Sequence, residues 1–98
     1  MARYSAKVDR NQKKIIKSLR MLPGVSVEAG HDDILVGFRG QTFWIEIKHP
    51  EAVSKKTGKI KRSEITESES KRLNQWFGHY SVCWTVDQIM EEIGFSVV

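Results

Sequence analysis

The chain reads as an α/β domain, a mixed sheet flanked by helices, and three observations predict it. Apolar residues recur at helical spacing ahead of Pro23. Two stretches between Asp33 and Lys48 instead alternate, as strands do. A capped helix, a strand and a second capped helix then follow a polar segment. The expected order is helix, three strands, long loop, helix, strand, helix. With 98 residues, the chain makes one domain, 1–98, with room for one modest core.

The first helix is expected over Val8 to Leu22. Ile15, Ile16, Leu19 and Leu22 form its apolar stripe, and lysines fill the other side. Asp9 stands where an N-cap would, with Gln12 as its capping-box partner. Pro23-Gly24 stops the helix. Val25 to Ala29 alternates as a short strand. Asp33 to Phe38 and Gln41 to Lys48 form a hairpin about Arg39-Gly40, although Arg is not the favoured first residue of such a turn. The segment from His49 to Ser63, about 15 residues, is longer than most connections and therefore either functional or disordered. Thr66 to Phe77 is the next helix, with Leu73, Trp76 and Phe77 facing inward, Thr66 and Glu69 as a capping box, and Gly78 as its stop. Tyr80 to Val86 is a strand, with Val82, Trp84 and Val86 on one face. Asp87 caps a short helix to Ile93, which Gly94 ends. "FSVV" forms a tail.

The hairpin carries the chemistry. With a two-residue turn, Phe38 faces Gln41 and Asp33 falls opposite Glu46. Such a pair has Cβ atoms about 4.5–5.5 Å apart. The period of two puts Lys48 on the same face as Glu46, while Ile34, Val36, Phe38, Phe43, Ile45 and Ile47 turn to the other face as core. A slip of one residue would send Asp33 to that face. Two adjacent carboxylates suit a hard cation such as Mg²⁺ or Mn²⁺, which completes its shell with water and phosphate oxygens. The main-chain oxygen of Ile47, between Glu46 and Lys48, is a natural further ligand. Lys48 beside them suits positioning and electrostatic stabilisation better than general-base work, because nearby carboxylates hold an ammonium in its charged form. The alternative for Asp33, Glu46 and Lys48 is a surface ion pair at the end of a hairpin.

The segment "GHDDILVGFRGQTFWIEIKHP" resembles the active-site hairpin of the PD-(D/E)xK nuclease superfamily, and the whole chain resembles stand-alone VRR-NUC domains of phages and bacteria. That family has a Gly-x-Pro-Asp segment, a "LLVG-x-x-G" strand and turn, and an (I/L)-E-(V/I)-K strand. These match Gly30-His31-Asp32-Asp33, Ile34 to Gly37 with Gly40, and Ile45 to Lys48. "DRNQKKIIKSLR" is similar to the family's first helix, "ITESESKRLNQWFG" to its Leu-Thr-x-x-Gln helix, and "VCWTVDQIMEEIG" to its closing strand and helix. The resemblance covers roughly residues 8 to 94. It implies a restriction-endonuclease-like core, with Asp33 and Glu46 binding Mg²⁺ or Mn²⁺ and Lys48 serving the attacking water. Gln12 and Glu69 are the implied polar site residues. It also implies cleavage of DNA, including branched forms such as Holliday junctions, by a homodimer. Two departures stand out. Asp32 replaces the family proline and brings a third carboxylate near the site. Glu69 replaces the family glutamine, and an ionised Glu cannot donate to a phosphate. Glu69 coordinates metal or repels phosphate, or bonds the Thr66 amide as a cap, a role compatible with the others, and Gln12 has the same ambiguity with Asp9.

The rest of the composition narrows the classes. Net charge is +4, which favours a polyanionic partner weakly. Lys55, Lys56, Lys59, Lys61 and Arg62 crowd the long loop and can track a phosphate backbone; the alternative is a solvated loop. No recognition-helix or zinc-finger signature reads base edges. Trp44 shares the Glu46 face, either to stack on a sugar or base or to lie under a helix. Trp76 and Trp84 are expected in the core or at a dimer contact. Cys83 stands alone, so no disulfide forms within the chain, and it reads as an inert strand residue. No apolar stretch is long enough for a membrane helix and no apolar signal core follows the basic start, so a cytoplasmic location is expected. The competing class is a non-catalytic nucleic-acid-binding module that retains the nuclease fold.

Overall fold

The Arg39-Gly40 turn sets the register of the whole sheet. Both residues have positive φ, 52° and 79°, the backbone of a type I′ turn, whose twist matches that of the strands it joins. Arg39 adopts a conformation that most side chains avoid, and its guanidinium carbon lies 5.1 Å from the centre of the Phe38 ring. A computed structural model describes residues 2–30 and 33–96. The elements are α1 (Ala2–Arg20), β1 (Val25–Ala29), β2 (Asp33–Phe38), β3 (Gln41–Ile47), α2 (Glu67–Gln75), β4 (His79–Cys83) and α3 (Val86–Ile93). Short 3-10 turns at Pro50–Ala52 and Arg62–Glu64 lie between β3 and α2.

The sheet order is β1-β2-β3-β4. β1 pairs antiparallel to β2, β2 antiparallel to β3, and β3 parallel to β4. The parallel step needs a crossover, which the loop and α2 supply. This is the expected mixed sheet flanked by helices. One face of β2 and β3 presents Ile34, Val36, Phe38, Phe43, Ile45 and Ile47, all buried against Ile15 and Leu19 of α1 and Ile89 and Ile93 of α3. The other face carries Asp33, Trp44 and Glu46 beneath α2. Phe95 leaves α3 to meet Phe38, with ring centres 5.4 Å apart.

Several element ends differ from expectation. Helix α1 begins at Ala2 rather than Val8, because no Gly or Pro interrupts the run before Pro23. Asp9 therefore lies inside the helix rather than at its start, which overturns the capping-box reading of Gln12. Helix α2 stops at Gln75, and Trp76 is already extended, its N–H bonded to the Arg72 carbonyl. The inward-facing assignment of Leu73, Trp76 and Phe77 is therefore wrong: they are 49%, 53% and 107% exposed, and Glu69 and Arg72 take the inner face. Strand β4 ends at Cys83, so Trp84 and Val86 do not extend it. Thr85, not Asp87, caps α3. Its hydroxyl accepts the Gln88 N–H, while the Gln88 amide oxygen accepts from Trp84 and Thr85. Gly94 ends α3 in the left-handed conformation, as expected. The loop is folded: Val53 bridges Ile60, Lys61 N–H bonds the buried Ala52, and the 3-10 turns brace both ends. Among the described residues no helix is long and apolar enough to cross a membrane.

Candidate active site

Asp33 and Glu46 are directly paired across β2 and β3, so the alternation that builds the core also brings two carboxylates together on the opposite face. Glu46 is 2% exposed. A buried carboxylate is costly unless charged or hydrogen-bonding groups answer it. The Arg72 guanidinium does so in part, with Nη1 4.0 Å from a Glu46 oxygen. Asp33 is half-buried, and its Oδ2 accepts the Trp44 indole N–H at 2.8 Å. A cleft of about 380 Å³ opens beside it, lined by Gly30, Leu35 and Trp44 among others.

The turn before Asp33 is tight. Gly30 N–H donates to the Asp33 carbonyl at 2.8 Å. A Cβ at Gly30 would collide with the Asp33 carboxylate and approach the Asp33 carbonyl oxygen to 3.0 Å. Glycine is required here by close approach, and the missing side chain leaves room for the acid. Asp32, the expected third carboxylate, lies outside the described residues, as does His31.

Lys48 continues the ladder one residue past β3, its N–H bonded to the Cys83 carbonyl. Its ammonium lies 3.0 and 3.2 Å from the two oxygens of Glu69. Glu69 also accepts the Thr66 N–H at 3.0 Å, and the Thr66 hydroxyl accepts the Glu69 N–H, so the capping box is complete. Glu69 thus combines capping with an ion pair. Burial alone pushes its carboxyl up, but the Thr66 amide and Lys48 outweigh burial and hold it below the ordinary 4.5.

Helix α1 braces both ends of the hairpin site. Gln12 is 5% exposed, and its side-chain N–H donates to the Gly30 carbonyl at 3.2 Å. Its Oε1 is buried with no hydrogen-bond partner among the described residues. Asn11, which sequence reading did not single out, donates to the Lys48 carbonyl at 2.7 Å. Neighbouring helix positions therefore anchor the backbone just before Asp33 and at Lys48.

Two further residues went unnoticed in the sequence. The Arg72 guanidinium lies 4.5 Å from the centre of the Trp44 ring and 5.7 Å from that of Tyr80. Arg72 follows Glu69 by three positions, the spacing of one helix face, and that was the available signal. Trp44 meets Trp76 and Tyr80 edge-on, with ring centres 5.1 Å apart in each pair. Burial pushes the Tyr80 phenol up to about 12; Arg72 offsets part of this, and the Glu46 and Glu69 charges add to it. Tyr80 therefore remains a neutral phenol. Trp76, half-exposed, belongs to this aromatic group and not to the core.

Ile47 is buried in the core opposite Cys83, so its side chain takes no part in the site. Lys55, Lys56, Lys59, Lys61 and Arg62 are all exposed. Their loop leaves the site at Lys48 and returns at Thr66, the cap of α2. Cys83 is 2% exposed, and burial pushes its thiol up to about 11, as an inert strand residue requires.

Among the described residues no three His, Cys, Asp or Glu side chains gather as a metal-binding group. Mg²⁺ does not need three. It commonly binds one or two carboxylates and fills its octahedron with water and substrate phosphate. The Asp33–Glu46 pair supplies two carboxylates of that kind. Comparison with protein-family models, curated proteins and solved structures finds no match for the chain.

Proposed function

We propose that this protein is a divalent-metal-dependent endonuclease that hydrolyses DNA phosphodiesters, in the manner of the VRR-NUC branch of the PD-(D/E)xK nucleases that its sequence resembles. The observation that carries the reading is the facing of Asp33 and Glu46 at the end of the hairpin, with Lys48 on the next position of the same face. Asp33, Glu46 and the Ile47 carbonyl would hold Mg²⁺ or Mn²⁺. The chemistry a bound ion supplies in such a site is charge neutralisation at the phosphodiester and acidification of water.

The chain's own residues do the rest. Trp44 aims the Asp33 carboxylate through its indole N–H. Asn11 and Gln12 fix the backbone on either side of the acid pair. Lys48 offsets negative charge that develops on the attacked phosphate, and Glu69 sets its position. Lys55, Lys56, Lys59, Lys61 and Arg62 bind the phosphate backbone beyond the cut. Branched DNA, including four-way junctions, and a homodimer that presents two sites in fixed relation are part of the same reading. A bacterial or phage-infected cytoplasm is where such an enzyme would work.

One observation favours a second reading, a binding module with a lapsed site. Glu69 stands where the resembled family has glutamine, and both its oxygens engage Lys48. Calorimetric titration with Mn²⁺ separates the two. The endonuclease reading predicts a site in the parent that is lost in a folded Glu46→Gln variant. Equal binding by parent and variant would overturn it.

A further inference from the structure

We propose that Arg72 is a phosphate-binding residue of this site, held on an aromatic shelf beside Glu46 until a metal ion and a phosphodiester replace that contact. The inference rests on the endonuclease reading and adds a residue to it. The guanidinium lies 4.5 Å from the Trp44 ring centre and 5.7 Å from that of Tyr80. Stacking of this kind keeps a planar cation flat and limits its rotamers. The side chain is 31% exposed, so it is reachable from solvent, whereas that of Glu46 is 3% exposed.

At 4.0 Å, the Arg72–Glu46 approach is longer than a charge-assisted hydrogen bond of about 2.7–2.9 Å. The guanidinium fork is therefore not consumed by this contact. A phosphodiester accepts from such a fork through two parallel N–H bonds. Lys48 is held in place by both oxygens of Glu69, so Arg72 offers a second, separate donor to an anion that enters next to Glu46.

The arrangement has opposite consequences for the two ligands. A cation close to Glu46 opposes a divalent ion on the same carboxylate. The same cation attracts a phosphate. Removing Arg72 should thus tighten metal binding and weaken DNA binding, a pattern that loss of packing alone does not produce.

The test compares the parent with Arg72→Ala and Arg72→Gln, the latter retaining a long planar side chain should the former fail to fold. Mn²⁺ affinity is measured by calorimetry without DNA. Affinity for a labelled duplex is measured across a salt series with Ca²⁺ in place of Mn²⁺. The proposal predicts Mn²⁺ binding tighter by up to about thirtyfold, the effect of one unit charge on a divalent ion at about 4 Å under water-like screening. It also predicts a log–log salt slope shallower by about 0.9, one phosphate contact. Unchanged or weaker Mn²⁺ binding with an unchanged slope overturns it. If the parent binds no Mn²⁺, the endonuclease reading falls, while the slope still decides whether Arg72 contacts phosphate.

Discussion

Placing a methyl group on Gly30 should displace the Asp33 carboxylate. In the structure a Cβ at this position collides with Asp33 Oδ1 and comes within 3.3 Å of its Cγ. The side chain must leave its rotamer, which costs about 0.5–1.5 kcal/mol. It then loses the Trp44 indole N–H, a hydrogen bond to a charged group worth roughly 1.5–3 kcal/mol. Asp33 is only half-buried, so the lower ends apply and the expected loss is about 2 kcal/mol. For a domain of this size that is a fall in Tm of roughly 8–16 °C. The assay is thermal unfolding of the parent, Gly30→Ala, Asp33→Ala and the double variant. With Asp33 truncated, the collision with the carboxylate is gone and the approach to the Asp33 carbonyl oxygen at 3.0 Å remains. Gly30→Ala should then cost clearly less, with a coupling energy of at least about 1 kcal/mol. Equal costs in both backgrounds would show that Gly30 does not make room for the acid, and the reasoning would fail.

Removing the α2 cap with Thr66→Ala should destabilise the protein by about 1 kcal/mol, read as a lower Tm. Glu69 contributes stability through a carboxyl held below 4.5. That contribution is complete above the unfolded value and disappears as pH falls through the lower folded value. The stability advantage of the parent over Glu69→Gln should accordingly shrink below about pH 4.5 in acid unfolding curves; an advantage that did not change with pH would contradict it. Cys83 should resist iodoacetamide in the native state and react after unfolding in guanidinium. Because its thiol is raised to about 11 from 9.0, folding stability should decline as pH rises between those values. Replacing Lys55, Lys56 and Lys59 with glutamine should weaken DNA binding across all sequences, reducing the salt slope by about 0.9 for each phosphate that is no longer neutralised. An unchanged slope would remove the loop from the DNA path.

The facing of Asp33 and Glu46 was legible because strand alternation and a two-residue turn leave one register that buries Ile34, Val36, Ile45 and Ile47 together. The Thr66–Glu69 capping box was legible for a similar local reason, since its two bonds depend only on neighbours in sequence. The pairing of Glu69 with Lys48 was not. It spans 21 positions and depends on how α2 rotates over the sheet, which follows from where the helix stops. That stop was misplaced: apolar Leu73, Trp76 and Phe77 look like a buried stripe if the helix runs to Gly78. It ends at Gln75, which turns Glu69 and Arg72 inward instead. Arg72 therefore stayed hidden, although it lies on the same helix face as Glu69. Of the two roles open to Gln12, capping-box partner of Asp9 or site residue, the first fails, because a capping residue type cannot reveal that a helix has already begun seven positions earlier. Its hydrogen bond to Gly30, and that of Asn11 to Lys48, are long-range bonds that local spacing does not encode.

The central claim is that the Asp33–Glu46–Lys48 face hydrolyses DNA with a divalent ion. The most direct measurement is cleavage of a labelled panel of duplex, single strand, flap and four-way junction in Mg²⁺, Mn²⁺ or EDTA, with a folded Lys48→Ala control. The account predicts cutting by the parent that requires metal and is lost in the control. Tight, salt-dependent binding with no cutting in either metal would contradict it and favour the lapsed-site binding module.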